Sequence, residues 1–243
     1  MLILQLITKF SEILLPLNIY IKSYEIIITD EDSGLIEFLS NTCSIDGILH
    51  NLPNNWDLNK FFRNYFFKNL KEAQNNFLNS LVGFCLISYY LQIKDRHNGN
   101  ILLDNKGHIM HIDFGFVLGS SPKNLNFEKA NFKLTKDYVE ILNGKNSDLY
   151  KEFKKKFVKG ILECRKNYTI LNTILRVMVQ SKLKCFEGKN MNDILNEFYN
   201  KFCFNMSEKN IENFVDKMIE NCYENFFTKK YDDFQYYTNG ILH

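Results

Sequence analysis

The sequence predicts an α+β fold, with a small strand-bearing portion leading into a mostly helical body, and three observations carry that prediction. Residues 24–29, Tyr-Glu-Ile-Ile-Ile-Thr, are β-branched and run into the turn cluster Asp30-Glu31-Asp32-Ser33-Gly34. Residues 101–104 and 108–113 are two short apolar segments joined by Asn105-Lys106-Gly107, a hairpin turn in which glycine supplies positive φ. Beyond Thr135 the pattern is helical almost to the end of the chain.

Each element follows from a local signal. Ile3, Leu6, Ile7, Phe10, Ile13 and Leu14 recur at helical spacing, so an amphipathic helix opens the chain and ends near Pro16. A signal peptide is a poorer reading, because there is no basic leading segment, Lys9 interrupts the apolar run, and no small-residue cleavage site follows. A second strand is expected over 35–39. Residues 40–70 read as irregular, with weak helical pieces around Trp56, the only tryptophan. A long helix is expected over 71–92. Its apolar stretch, 77–93, contains Asn79, Ser80, Ser88 and Gln92, is shorter than a spanning helix, and ends in Lys94-Asp95-Arg96. It reads as a buried core helix, and no transmembrane segment is expected. Residues 114–134 form a long loop, and loops of that length are usually functional or disordered. Helices are expected over 135–142, 146–167, 168–182, 190–204, 207–226 and 229–239, the fifth capped by Ser207.

Composition bounds the rest. Apolar residues make up 45% and charged residues 24%, ordinary for a soluble globular chain, and three prolines with eleven glycines leave little room for long linkers. A formal charge of +2 gives no strong overall field, so attraction to phosphate or membrane must be local, and a nucleic-acid partner is not expected. Six cysteines without a Cys-x-x-Cys pair suit neither a zinc site nor a disulfide framework, and point to a reducing, cytoplasmic compartment.

The residues that carry chemistry are Asp95, His97, Asn100 and Asp113. Phosphoryl transfer needs positioned metal ions, a group that orients or deprotonates the attacking hydroxyl, and cations against developing charge. Mg²⁺ prefers carboxylate and amide oxygens. Asn100 closes a loop and Asp113 closes the facing strand of a hairpin, which lets both face one cleft. Asp95 and His97 precede Asn100 on the same loop, within reach of a substrate hydroxyl.

The run DRHNGNILLDNKGHIMHIDFG resembles the catalytic loop and metal-binding motif of the phosphatidylinositol 3-/4-kinase superfamily. Asp95-Arg96-His97 replaces the His-Arg-Asp order of ordinary protein kinases. SSPKNLNFEKANFKLT and the closing KKYDDFQYYTNGIL resemble the type III beta branch of the phosphatidylinositol 4-kinases. The resemblance implies a protein-kinase-like bilobal fold. Residues 1–39 would be a remnant of the N-terminal lobe with the hinge, and 40–243 the helical C-terminal lobe, with a catalytic loop at 93–101 and an activation loop at 112–136. It implies ATP and Mg²⁺ as cofactors, Asn100 and Asp113 as metal ligands, and Asp95 and His97 serving the inositol hydroxyl. Arg96 stands in the same catalytic run and reads as a structural tether of the loop rather than a catalytic group. It places the adenine hinge at Ile36, Glu37 and Leu39, with Tyr24, Leu102 and Ile112 walling the base. Phe38 stands where the family pattern leads one to expect proline.

The implied reaction is transfer of the ATP γ-phosphate to the 4-hydroxyl of phosphatidylinositol at a membrane surface, in a cytoplasmic, peripherally membrane-associated protein on Golgi-type membranes. Between Phe114 and Lys136 the local net charge is +3, from Lys123, Lys129, Lys133 and Lys136 against Glu128. This pattern is sparser than that of 3-kinases acting on phosphorylated inositides. Lys133, with Lys123, is the candidate for headgroup contact. Two alternatives stay open: a 3-kinase, and a noncatalytic module of the same fold. The second draws on a departure from the family. The first glycine is Gly34, so no glycine-rich phosphate loop precedes it, and neither Lys9 nor Lys22 matches the lysine that pairs with the α- and β-phosphates. A truncated form is expected, with activity of this chain alone in question.

Plainer readings apply elsewhere. His108 and His111 point to opposite strand faces, and one is expected in the core rather than on a metal. Lys154-Lys155-Lys156 reads as a solvated helix face. Phe198 with Phe202, and Tyr223 with Phe227, read as core pairs.

Overall fold

The computed structural model describes residues 2–30, 33–119, 130–181, 186 and 190–243. Helix α1 (Leu2–Leu14) buries Leu4, Leu6, Ile7, Phe10 and Leu14, and Pro16 sits in the single 3₁₀ turn that ends it, closed by Asn18 at a left-handed φ of 53°. Strands β1 (Ile26–Asp30) and β2 (Ser33–Ile36) form an antiparallel pair with Ile26 opposite Ile36 and Ile28 opposite Gly34. Within residues 1–39, α1 shares one hydrophobic core with the helical body. By contrast, β1 and β2 leave Ile27, Ile28, Leu35 and Ile36 exposed.

A second sheet has the order β3–β4–β5. Strands β4 (Ile101–Asp104) and β5 (Ile109–His111) form the expected hairpin, with Ile101 opposite His111. Gly107 at the turn has φ +92°, and a side chain there would strike Ala73, so the position requires glycine twice over. Strand β3 (Thr42–Ser44) was not legible in the sequence; it pairs with β4 through Cys43 and Leu103. Helices α2 (Ile45–His50) and α3 (Leu58–Tyr65) order the stretch read as irregular, each started by a side-chain cap, Ser44 and Asp57 respectively.

The expected core helix is α4 (Leu70–Leu91). Sixteen of its 22 residues are buried, so it is apolar all round and central rather than a surface helix. Phe77 and Phe84 are enclosed, and each such side chain contributes about 1.5–3 kcal/mol by burial. The Ser80 hydroxyl donates to Asn76 O at 2.8 Å and accepts from the Ile109 amide at 3.0 Å, pinning α4 to β5. At Gly83 a Cβ would lie 2.5 Å from the Tyr20 carbonyl oxygen, so glycine lets the chain after α1 cross α4 at backbone contact. Among the described residues no helix is long and apolar enough to cross a membrane.

Helices α5 (Lys136–Ile141), α6 (Asp148–Lys166), α7 (Tyr168–Val179), α8 (Met191–Asn200), α9 (Glu208–Cys222) and α10 (Phe226–Asn239) complete the body. Ser207 caps α9 by accepting from the Asn210 amide, as its sequence position predicted. The lysine triplet on α6 is less solvated than expected. Lys154 pairs with Asp216 at 2.7 Å, and Lys156 donates to the Leu17 and Asn18 carbonyls, closing the end of the α1 segment.

Candidate active site

Tyr24, Ile36, Glu37, Leu39, Leu102 and Ile112 come from four separate stretches of chain and line one cleft of about 760 Å³, together with Asp113, Phe114 and Gly115. The cleft is walled by β1–β2 on one side and by β4 and the end of β5 on another. The Glu37 amide donates to the Glu25 carbonyl at 2.9 Å, and a Glu37 carboxylate oxygen accepts from the Glu25 amide at 2.9 Å, so both ends of Glu37 hold the segment entering β1. Phe38 also lines the cleft and is 89% exposed. Tyr24 stacks on Phe114 with ring centroids 6.2 Å apart, joining the cleft wall to the residue after Asp113.

The loop between α4 and β4 is held at each end by backbone. Lys94 N donates to Phe116 O at 2.9 Å, and Ile112 N donates to Asn100 O at 3.1 Å, so the two motifs lie side by side. Arg96 is buried. Its guanidinium donates to the carbonyls of Lys94 at 2.9 Å, Ile112 at 2.8 Å and Asp113. That planar fork spans both motifs, which an ammonium group cannot do. Asp95 and Asp113 have φ of 65° and 54°, the left-handed region that aspartate tolerates better than most residues.

The Asn100 amide group packs against Asp95 and His97. Asn100 Nδ2 faces three acceptors: Asp95 O at 3.1 Å, Asp95 Oδ2 at 3.5 Å and His97 Nε2 at 3.1 Å. Burial holds His97 below the usual histidine pKa, Arg96 and Lys133 add to that, and Asp95 and Asp232 oppose it. His97 Nε2 lies 3.6 Å from Asp95 Oδ1, and burial favours a neutral imidazole there. Turning Nδ2 toward these acceptors also leaves the Asn100 carbonyl oxygen for a hard cation, and exposed Asp113 supplies a carboxylate. The residues present thus fit a Mg²⁺-type donor set. A separate acidic group, Asp57, Asp137 and Glu140, has oxygens within 4.8 Å of one another. Asp57 caps α3 and Asp137 lies in the first turn of α5, where helix dipoles offset the charge.

Lys133 is not at the surface. Its ammonium is buried, donating to Asp232 Oδ1 at 2.8 Å and Asn98 Oδ1 at 3.1 Å, which corrects its reading as a headgroup contact. The basic charge expected to face lipid instead ties the end of the loop to α10 and to the segment between α4 and β4. Lys123 and Lys129 lie outside the described residues. His111 is the core histidine, its ring 4.5 Å from Phe84 and its pKa driven well down by burial. His108 instead pairs with Asp104 at 2.9 Å.

Sequence reasoning missed the contribution of α10. The Tyr231 hydroxyl donates to Asp95 Oδ1, with Gln235 behind it. Only the composition of the C-terminal segment could have hinted at this, since Tyr231 and Gln235 are polar groups four apart on an otherwise amphipathic helix.

The family described as phosphatidylinositol 3- and 4-kinase matches residues 1–188, a span that holds the cleft, the loop and Asp113. The chain belongs to this family. Among curated lipid kinases it is 41% identical over 229 residues to phosphatidylinositol 4-kinase beta of Danio rerio, covering 92% of this chain and 27% of that protein. It is 40% identical over 233 residues to the Xenopus tropicalis protein of the same name, covering 92% of this chain and 28% of that one. The chain thus spans just over a quarter of the length of these relatives. The kinase-like α+β architecture with a helical C-terminal portion is the one observed.

Proposed function

We propose that this chain carries the catalytic part of a lipid kinase that transfers the γ-phosphate of ATP to the 4-hydroxyl of phosphatidylinositol. The observation that carries the reading is the continuity of the cleft. The walls expected to hold adenine open directly onto Asp113, and Arg96 binds the Asp113 carbonyl to the loop bearing Asp95, His97 and Asn100. The 4-position and the lipid substrate draw on the likeness to phosphatidylinositol 4-kinase beta over 92% of the chain.

In this reading Tyr24, Leu102 and Ile112 pack against the base, and Ile36, Glu37 and Leu39 meet its edge. Asn100 and Asp113 would hold Mg²⁺, which when bound neutralises charge developing on the transferred phosphoryl group. Asp95 and neutral His97 orient the inositol hydroxyl and accept its proton. Arg96, whose guanidinium donates to the Lys94, Ile112 and Asp113 carbonyls, keeps the two motifs in register. We further propose that residues 1–39 and 40–243 divide as small-lobe and large-lobe portions around this cleft. The protein would act at the cytoplasmic face of Golgi-type membranes.

The test is product analysis. The full-length protein is incubated with ATP, Mg²⁺ and vesicles containing phosphatidylinositol, and the product is resolved by headgroup position. Phosphatidylinositol 4-phosphate is the expected product; the 3-phosphate would overturn the positional assignment, and no phosphoinositide at all would overturn the reading.

A further inference from the structure

Tyr231, Gln235 and Asn239 recur every four residues on α10 and therefore share one face. They form a continuous polar line into the candidate site. Asn239 Nδ2 donates to Gln235 Oε1 at 2.6 Å. Gln235 Nε2 donates to the Tyr231 oxygen at 2.6 Å and lies 3.5 Å from Asp95 Oδ1. The Tyr231 hydroxyl completes the line by donating to Asp95 Oδ1. Tyr231 and Gln235 are both buried, so the bonds between them and Asp95 are shielded from competing water and costly to leave unmade, while Asn239 is exposed at the outer end of the line. All three residues lie beyond the span that matches the kinase family.

A carboxylate serving a substrate hydroxyl must present one oxygen along one direction, and a displacement of about 1 Å can cost roughly 10² in rate. Asp95 sits on the loop between α4 and β4 at a left-handed backbone position, with φ of 65°. We propose that Tyr231, backed by Gln235 and Asn239, is a positioning residue for Asp95. Tyr231 engages Oδ1 while Oδ2 lies 3.5 Å from Asn100 Nδ2, so the carboxylate plane is set between α10 and the loop. The C-terminal helix thereby becomes part of the catalytic apparatus without touching substrate. This proposal rests on the lipid-kinase reading above.

The test uses the full-length protein with phosphatidylinositol vesicles and ATP. Tyr231→Phe removes only the hydroxyl and keeps the ring beside Phe234. The expected result is a fall in kcat of about 10-fold, with KM for ATP and for lipid within about twofold of wild type. Gln235→Met should lower kcat less, and add little in the Tyr231→Phe background, because it acts through Tyr231. Tyr237→Phe, on an 84% exposed residue of the same helix, should match wild type. In thermal unfolding, Tyr231→Phe and Asp95→Asn should each lower Tm by about 3 °C, and the pair by no more than either alone. An unchanged kcat in Tyr231→Phe, or a fall matched by a rise in KM, overturns the positioning role while leaving the kinase reading intact. Strict additivity of the two Tm shifts overturns the contact itself. A wild type that makes no phosphoinositide overturns the kinase reading and this role with it.

Discussion

The Lys133 ammonium and the Asp232 carboxylate meet at 2.8 Å with their side chains 2% and 8% exposed, joining the end of the loop after Asp113 to α10. A pair this enclosed is sensitive to loss of one partner, because the other charge stays buried and uncompensated. Lys133→Met should therefore cost about 3–5 kcal/mol in urea unfolding. Lys133→Met with Asp232→Leu should recover most of that loss, since two apolar groups of similar volume replace the pair. A single variant as stable as wild type would mean that the pair is not formed in solution.

Asp113 separates chemistry from folding if the substitution respects its backbone. Its φ of 54° suits asparagine nearly as well as aspartate, while alanine adds strain there. Asp113→Asn should reduce lipid phosphorylation about 10²-fold or more, the equivalent of roughly 2.7 kcal/mol of lost transition-state stabilisation. The thermal midpoint should be unmoved, because the side chain is exposed. Turnover at the wild-type rate would remove Asp113 from the metal assignment.

His111 sets a stability dependence on pH. Its folded-state pKa lies well below the ordinary histidine value of about 6.5, by burial first and then by the charges of Arg96 and Lys133. The unfolded chain therefore binds a proton that the folded chain refuses. The stability this residue confers is complete above about pH 6.5 and is lost as pH falls below it, at about 1.4 kcal/mol per pH unit. Replacing it as His111→Phe, which keeps a ring against Phe84, should flatten the slope between pH 6.5 and 5 by about that amount. Equal slopes in the two proteins would show that His111 is protonated in the folded state.

What was legible in the sequence was local. The helix around Phe77 and Phe84 declares itself because no charge interrupts it, the β4–β5 hairpin because Asn105-Lys106-Gly107 allows few other paths, and the start of α9 because Ser207 stands at its cap. The six residues that line the cleft with Asp113 were legible only through their resemblance to a family. Strand β3 was not legible: three residues are too short for a period, and the partner that makes them a strand is β4, far along the chain. Lys133 misled for a related reason. A lysine in a polar loop reads as solvated until a carboxylate 99 residues away is seen to cover it. The Tyr231–Asp95 bond spans 136 residues, and its one sequence trace is the pair of polar groups four apart on α10.

The glycine at the crossing of α4 has a consequence outside the core. The strand of chain that Gly83 admits, Tyr20 and Ile21, runs on within three residues to Tyr24, a wall of the cleft. Tyr20 is itself moored on both sides, by its amide to Asn79 and by its ring to His108, 4.4 Å away. A methyl group at 83 cannot be absorbed by a flexible side chain; it meets a carbonyl at 2.5 Å and must push the whole segment outward. The helix axis and the cleft wall are thus set at a fixed spacing by the absence of one carbon. In the kinase reading proposed above, nucleotide affinity would be in part a dimension of the core, and a change at Gly83 would register as altered ATP binding from a residue that never approaches the nucleotide.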